Sequence, residues 1–150
     1  MKRTIRKFAG VFAAAAVAPV LLAGTAQADD GGAVYFSNGI MQCSITGDGA
    51  VGCDLTDSMK IQYSFLPALL PVRNIVIDQS WLPAHPSFAG GTPHTLPGGN
   101  PPLSEVKTGQ GTWGAFIEHA GARCESGFHG SFSCQSKGRG FSTYSGIITA

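Results

Sequence analysis

The chain predicts a small all-β domain, an antiparallel sandwich or open barrel built on two disulfide-stapled hairpins with one long Pro/Gly-rich loop. Three observations carry this prediction. The same cysteine interval occurs twice, in "CSITGDGAVGC" (Cys43 to Cys53) and "CESGFHGSFSC" (Cys124 to Cys134), with a glycine six places after each first cysteine. Apolar and polar residues alternate with period two around the first turn, the pattern of half-buried strands. Charged residues make up only 13% of the chain, against 21 glycines and 9 prolines, a composition poor in the Glu and Lys runs of surface helices.

The first 28 residues are read as a leader outside the domain. Lys2, Arg3, Arg6 and Lys7 precede an apolar run from Phe8 to Ala23, followed by small residues at Ala26 and Ala28. Basic, apolar, then small-x-small is the order of a secretory signal peptide, with cleavage expected after Ala28. The run contains Pro19 and falls short of the about 20 residues that span a bilayer. No cysteine follows it, which argues against a lipoprotein anchor. Residues 29–150 then suit one domain. Four of the ten basic residues lie in the leader, so six face nine acids and the domain carries a net charge of −3. A mildly acidic domain with scattered Lys and Arg lacks the electrostatic footprint of a binder of nucleic acid or of an anionic membrane.

"AVYFSNG" (33–39) reads as an opening strand and turn. In the first cysteine hairpin, Met41, Cys43, Ile45, Val51, Cys53 and Leu55 form an apolar parity. Gln42, Ser44, Thr46, Ala50, Gly52 and Asp54 form a polar or small one. If Cys43 faces Cys53, Ile45 faces Val51 and Met41 faces Leu55. The loop is then Gly47–Gly49, with Gly49 at the left-handed position that glycine adopts without steric cost. In the second hairpin, Cys124 facing Cys134 sets Ser126 opposite Phe132, with the loop Phe128–Gly130. Opposed residues of an antiparallel pair are close enough for a disulfide. Each hairpin can therefore close its own bridge, Cys43–Cys53 and Cys124–Cys134. Four cysteines allow three connectivities, and the matched registers favour the local one. Nine residues between cysteines are too many for a zinc site, so no metal or cofactor is expected.

Further along, "MKIQYSF" (59–65) alternates as a strand. Pro67 and Pro71 follow, with a weak helical turn over 67–70 and a buried strand over 73–78 ("RNIVID"). From Ser80 to Pro102 the chain holds six of the nine prolines and four glycines. Proline fixes φ and removes a donor, so no central strand runs here. Trp81, Leu82, Phe88 and Leu96 argue that this loop packs somewhere rather than being disordered. Strands return in "GTWGAFIEHAGARCES" and "FSCQSKGRGFSTYSGII".

The chain contains no G-x-S-x-G, H-E-x-x-H or phosphate-binding loop. His85 and His94 lie in the Pro-rich loop with Asp78 nearby. A metal or catalytic pair is one reading, and two surface loop histidines the simpler one. His129 falls at a hairpin tip. Glu118 and His119 are adjacent in a strand and point to opposite faces, which disfavours an acid/base pair. Asp48, Asp54 and Asp57 read as solvated turn acids rather than a calcium loop. "SKGRGFSTYSG" is the one basic–aromatic stretch, with Lys137, Arg139, Phe141 and Tyr144; contact with a glycan or acidic polymer is one reading, and Phe141 as core with Lys137 and Arg139 as solubilising residues the simpler one.

Phe36-Ser37 with Gly39 and Cys43, a second cysteine ten residues on, the later cysteine pair, and Gly138-Arg139-Gly140-Phe141 with Ser145 together resemble a group of small exported actinobacterial proteins of unknown function. The resemblance covers both ends of the domain and not the Pro-rich loop. It implies export and disulfides, and brings no catalytic residues with it. The resulting expectation is a secreted, non-enzymatic extracellular or cell-envelope domain that binds a protein or cell-wall polymer through Trp81, His85, Phe88 and His94. The alternatives are a secreted protease inhibitor presenting the Pro-rich loop, or a small hydrolase using His85, His94 or Glu118.

Overall fold

The computed structural model describes residues 32–150, so the expected signal peptide lies outside the described residues. Ten strands, one short α-helix and a 3-10 turn (Phe128–Gly130, between β7 and β8) make up the described residues; in chain order the strands and helix are β1 (Val34–Asn38), β2 (Met41–Ile45), β3 (Val51–Tyr63), β4 (Leu66–Ile77), α1 (Leu103–Val106), β5 (Gly109–Gln110), β6 (Ala115–His119), β7 (Ala122–Ser126), β8 (Phe132–Ser136), β9 (Arg139–Tyr144) and β10 (Ile147–Thr149). They form one curled, open half-barrel sheet in the order β1-β2-β3-β10-β9-β8-β7-β6-β5, with β4 on the other side of β3.

Local sequence sets the turns. Three connections of the C-terminal meander are the pairs Ala120-Gly121, Lys137-Gly138 and Ser145-Gly146, in which both residues have positive φ. Two successive left-handed residues make the turn whose twist matches antiparallel strands, and a glycine in the second place lowers its cost. Both cysteine hairpins adopt the register that their alternation predicts. Cys43 pairs with Cys53, Ile45 with Val51 and Met41 with Leu55. Cys124 pairs with Cys134 and Ser126 with Phe132. Each pair is disulfide-bonded, with Cα atoms 4.0 Å and 4.1 Å apart.

β3 is the spine of the fold. Its first half, Val51–Leu55, pairs with β2, and its second half, Lys60–Gln62, pairs in parallel with β10. A single long strand thus joins the N-terminal and C-terminal meanders. β4 accompanies β3 along both halves, across a register irregularity between Asp54 and Met59.

β4 departs from the sequence reading. The residues expected to form a helical turn, 67–70, are strand. The physical reason is position. Lys60 donates its N–H to Gly146 O at 3.3 Å, away from β4. Its ladder partner Pro71 therefore needs no N–H directed at β3. Pro67 falls in the register irregularity between the Gln62–Leu69 and Tyr63–Leu66 pairs. Proline is tolerated in such edge and bulge positions.

The concave side of the sheet holds the core. Phe36, Ile45, Val51, Ile61, Ile75, Ile117, Phe132, Phe141 and Ile148 pack with both disulfides in one cluster. Phe132 sits between Phe36 and Phe141, with ring centroids 6.2 Å and 6.3 Å away. Burying each such ring contributes roughly 2–3 kcal/mol. α1 lies against β1 and β6, where Leu103 enters the core. The tip of the first hairpin docks on the opposite meander: Ser136 Oγ donates to Gly49 O at 2.5 Å and Lys137 Nζ to Asp48 O at 3.0 Å. Lys137 is thus a tether between the two halves of the sheet and not simply a solubilising residue.

Candidate binding surface

Between β4 and α1, residues 78–102 cross the outer face of β1–β3 as a strap. They contain no strand, in keeping with their prolines, yet their backbone is tied down at intervals. Val76 and His85 exchange both backbone hydrogen bonds, at 2.8 Å and 3.0 Å. Ser87 N–H donates to Asn74 Oδ1 at 2.7 Å. Ser37 N–H donates to Pro101 O at 2.7 Å. Arg139 Nε donates to Ser80 O at 2.7 Å.

The strap lands on the polar parity of the first hairpin, the side that alternation alone would leave to solvent. Gly52, Ser44 and Asp54 are all buried there, Asp54 with only 3% exposure. Asp54 is therefore no solvated turn acid. Its Oδ2 accepts the backbone N–H of His94 at 2.7 Å and the Thr95 hydroxyl at 2.9 Å. The imidazole of His94 lies against Gly52, where a Cβ would collide with the ring. Its Nδ1 is 2.8 Å from Ser44 Oγ. Burial pushes the His94 pKa below its ordinary value, and the charge of Asp54 partly opposes that shift.

Asn100 is the second anchor. Its Nδ2 faces three carbonyls, His94 at 2.8 Å, Cys43 at 2.9 Å and Phe36 at 3.1 Å. Its Oδ1 accepts Leu96 N–H at 2.8 Å, and its own backbone N–H donates to Gln42 Oε1 at 2.8 Å. One carboxamide thereby joins the strap to β1 and β2. The sequence reading missed Ser44, Asp54 and Asn100. The signal available for the first two was a parity of small and polar residues flanking Gly52, room enough for a ring to lie on the sheet.

His85 is likewise engaged. Its Nε2 is 3.0 Å from Asp78 Oδ1 and its Nδ1 is 3.0 Å from Pro86 O. Both nitrogens face acceptors, and a neutral imidazole, with a single N–H, donates to one of them at a time. Both loop histidines are half-buried and hydrogen-bonded, in place of the free surface residues expected. His94, Asp78, Ser87 and Pro93 do share a cleft of about 230 Å³ with Gly52 and Thr46. The one hydroxyl bonded to His94 is that of buried Ser44, which a substrate in the cleft cannot reach.

The aromatic residues of the strap turn the other way. Trp81 is 70% exposed and Phe88 is 99% exposed. The segment from Phe88 to Pro93 is exposed throughout and is held at its two ends by the Asn74 and Asp54 side chains. The remaining predicted residues are scattered. Glu118 pairs with Arg123 at 2.6 Å across β6 and β7, and His119 Nε2 is 2.6 Å from Gly32 O. Arg123 also lies 3.7 Å over the Phe116 ring. His129 packs edge-on to Phe128, which in turn meets Trp113 edge-to-face with ring centroids 4.9 Å apart. Among the described residues no group of three or more His, Cys, Asp or Glu side chains is placed to hold a metal ion. No helix among them is long and apolar enough to cross a membrane.

Comparison with protein-family models, curated proteins and solved structures gives no match for this chain.

Proposed function

We propose that the protein is an exported, non-enzymatic binding domain of the extracellular space or cell envelope, and that the strap presents its contact residues. The observation that carries this reading is an inversion of the usual burial preference. Along the strap the polar side chains, His94, Thr95 and Asn100, are turned in and hydrogen-bonded. The large aromatic ones, Trp81 and Phe88, are turned out. Exposed aromatics on a backbone pinned from beneath are what a recognition surface requires, since little order is lost on binding. The disulfides and the leader expected from the sequence support export. The partner is a protein or a cell-wall polymer.

The test is retention on isolated cell-wall material, comparing the protein with a Trp81→Ala/Phe88→Ala variant. Both residues are exposed, so the variant keeps its fold. The reading predicts that retention drops by about tenfold or more, as truncation of aromatic anchors does. Equal retention of both proteins refutes it.

The clamped, exposed segment 88–93 also favours a second reading, a protease inhibitor that offers Phe88 as a substrate-like residue. Incubation with a protease that cleaves after aromatic residues decides between them. Stable inhibition supports the inhibitor, and cleavage without inhibition ends that reading.

A further inference from the structure

We propose that the tip of the β3–β4 hairpin docks into the interface of a bilayer carrying anionic lipids. Phe65, Leu69 and Leu70 enter among the headgroups, and Lys60 and Arg73 contact the phosphates. The proposal does not depend on the role of the strap residues Trp81 and Phe88.

The tip is uncharged and apolar over a long stretch. From Ile61 to Val72, "IQYSFLPALLPV", there is no charged residue. Phe65 is 72% exposed and is held in place by stacking on Tyr63, with ring centroids 5.1 Å apart and an interplanar angle of 25°. Pro67, Ala68, Leu69, Leu70 and Pro71 are exposed in succession. Successive strand residues face opposite sides, so this stretch of β4 meets solvent on both. Its neighbour β3 does not: Ile61, paired with Leu70, is fully buried, so the turn and β4 carry the exposed apolar surface.

The domain as a whole is mildly acidic, but the first charged residue on either side of the apolar tip is a cation. Lys60 pairs with Pro71 in the ladder, and Arg73 lies two residues further along β4. Both cations therefore project from one face of the hairpin, just behind the apolar tip. Both are exposed, and neither forms an ion pair among the described residues. An apolar insertion backed by unpaired cations matches a surface with acyl chains beneath phosphates. Strand-to-strand pairing with another chain fits less well. Pro67 and Pro71 remove donors from β4, the groups on which edge augmentation depends.

The test is co-sedimentation with phosphatidylcholine vesicles, with and without phosphatidylglycerol, for the protein and two variants. A Phe65→Ser/Leu69→Ser/Leu70→Ser variant removes the insertion, and a Lys60→Gln/Arg73→Gln variant removes the charge. All five residues are exposed, and a disulfide map with circular dichroism verifies the fold. The triple variant also controls for any binding by the apolar N-terminal run. The protein should pellet with phosphatidylglycerol vesicles and be released by salt. The triple variant should bind about tenfold more weakly or worse, and the double variant should lose the preference for phosphatidylglycerol. Failure of the protein to pellet at low salt, or equal binding by the triple variant, overturns the proposal. So does dimerisation that the triple variant abolishes in the absence of vesicle binding, which assigns the finger to a second copy of the chain.

Discussion

Asn100→Ala should cost about 2–3 kcal/mol of folding stability. The side chain is buried, and its carboxamide makes four contacts of 2.8–3.1 Å. Two of these, to the carbonyls of Phe36 and Cys43, involve paired residues of the β1–β2 ladder. The other two, the Leu96 N–H and the His94 C=O, belong to the strap and lose this partner without replacement. At about 1–1.5 kcal/mol for each lost bond, the strap contacts account for the total. The backbone N–H of Asn100 can still reach Gln42, so the loss is specific to the carboxamide. With a urea m value of about 2 kcal/mol/M, the unfolding midpoint falls by about 1–1.5 M. Fluorescence of Trp81 and Trp113 follows the transition. Asn100→Asp should be worse than alanine, because it sets a carboxylate oxygen against three carbonyl oxygens. The reasoning fails if Asn100→Ala stays within about 0.5 kcal/mol of the parent, the range of an ordinary surface change, or if aspartate is tolerated as well as alanine.

Other predictions concern the same layer and the bridges. Gly52→Ala places a methyl group in the volume of the His94 ring, and should destabilise by about 1–3 kcal/mol. The exchange rate of the His94 amide should rise with it, and unchanged exchange counts against this close contact. His94 is harder to protonate in the folded chain than in the unfolded one, where its ordinary pKa is 6.5. Unfolding then takes up protons, so this contribution is complete above pH 6.5 and declines as pH falls below it. Urea midpoints measured across that range should fall for the parent protein and stay flatter for His94→Gln; parallel curves contradict the assignment. Removal of either disulfide by paired Cys→Ser substitution should cost about 2–3 kcal/mol, read from the same transitions. A non-reducing peptide map should show Cys43 joined to Cys53 and Cys124 to Cys134, and any bridge between the two hairpins contradicts the registers.

The legible parts of the molecule are those fixed by neighbours in sequence. Period-two alternation and a glycine at the left-handed position of each loop determine both cysteine registers, and from them both disulfides. β4 is harder to read because Pro67 and Pro71 look like breakers. They are breakers only within a sheet, and β4 lies beside β3 alone. The path of the strap is not legible at all. Asp54 meets His94 across 40 residues and Asn100 meets Phe36 across 64. No local pattern encodes such distant partners. An aspartate after a hairpin and an asparagine between a glycine pair and two prolines read as ordinary loop chemistry. Only their burial distinguishes them. The same gap explains the histidines: a ring resting on Gly52 needs a glycine in one strand and a histidine forty-two residues later. The outward aromatics, Trp81 and Phe88, are legible as residues that must do something. Their direction follows only from the placement of the polar anchors.

Native-state hydrogen exchange across residues 78–102 tests the central claim most directly. If the strap belongs to the folded body, the amides of Ser87, His94 and Leu96, each donated to a buried or half-buried side-chain oxygen, exchange slowly, with opening free energies near those of β2 and β3. Gly90 and Gly91, in the exposed segment, exchange fast. Rapid exchange at all five positions shows a strap that is not fastened to the sheet, and Asp54, His94 and Asn100 then lose their standing as its anchors.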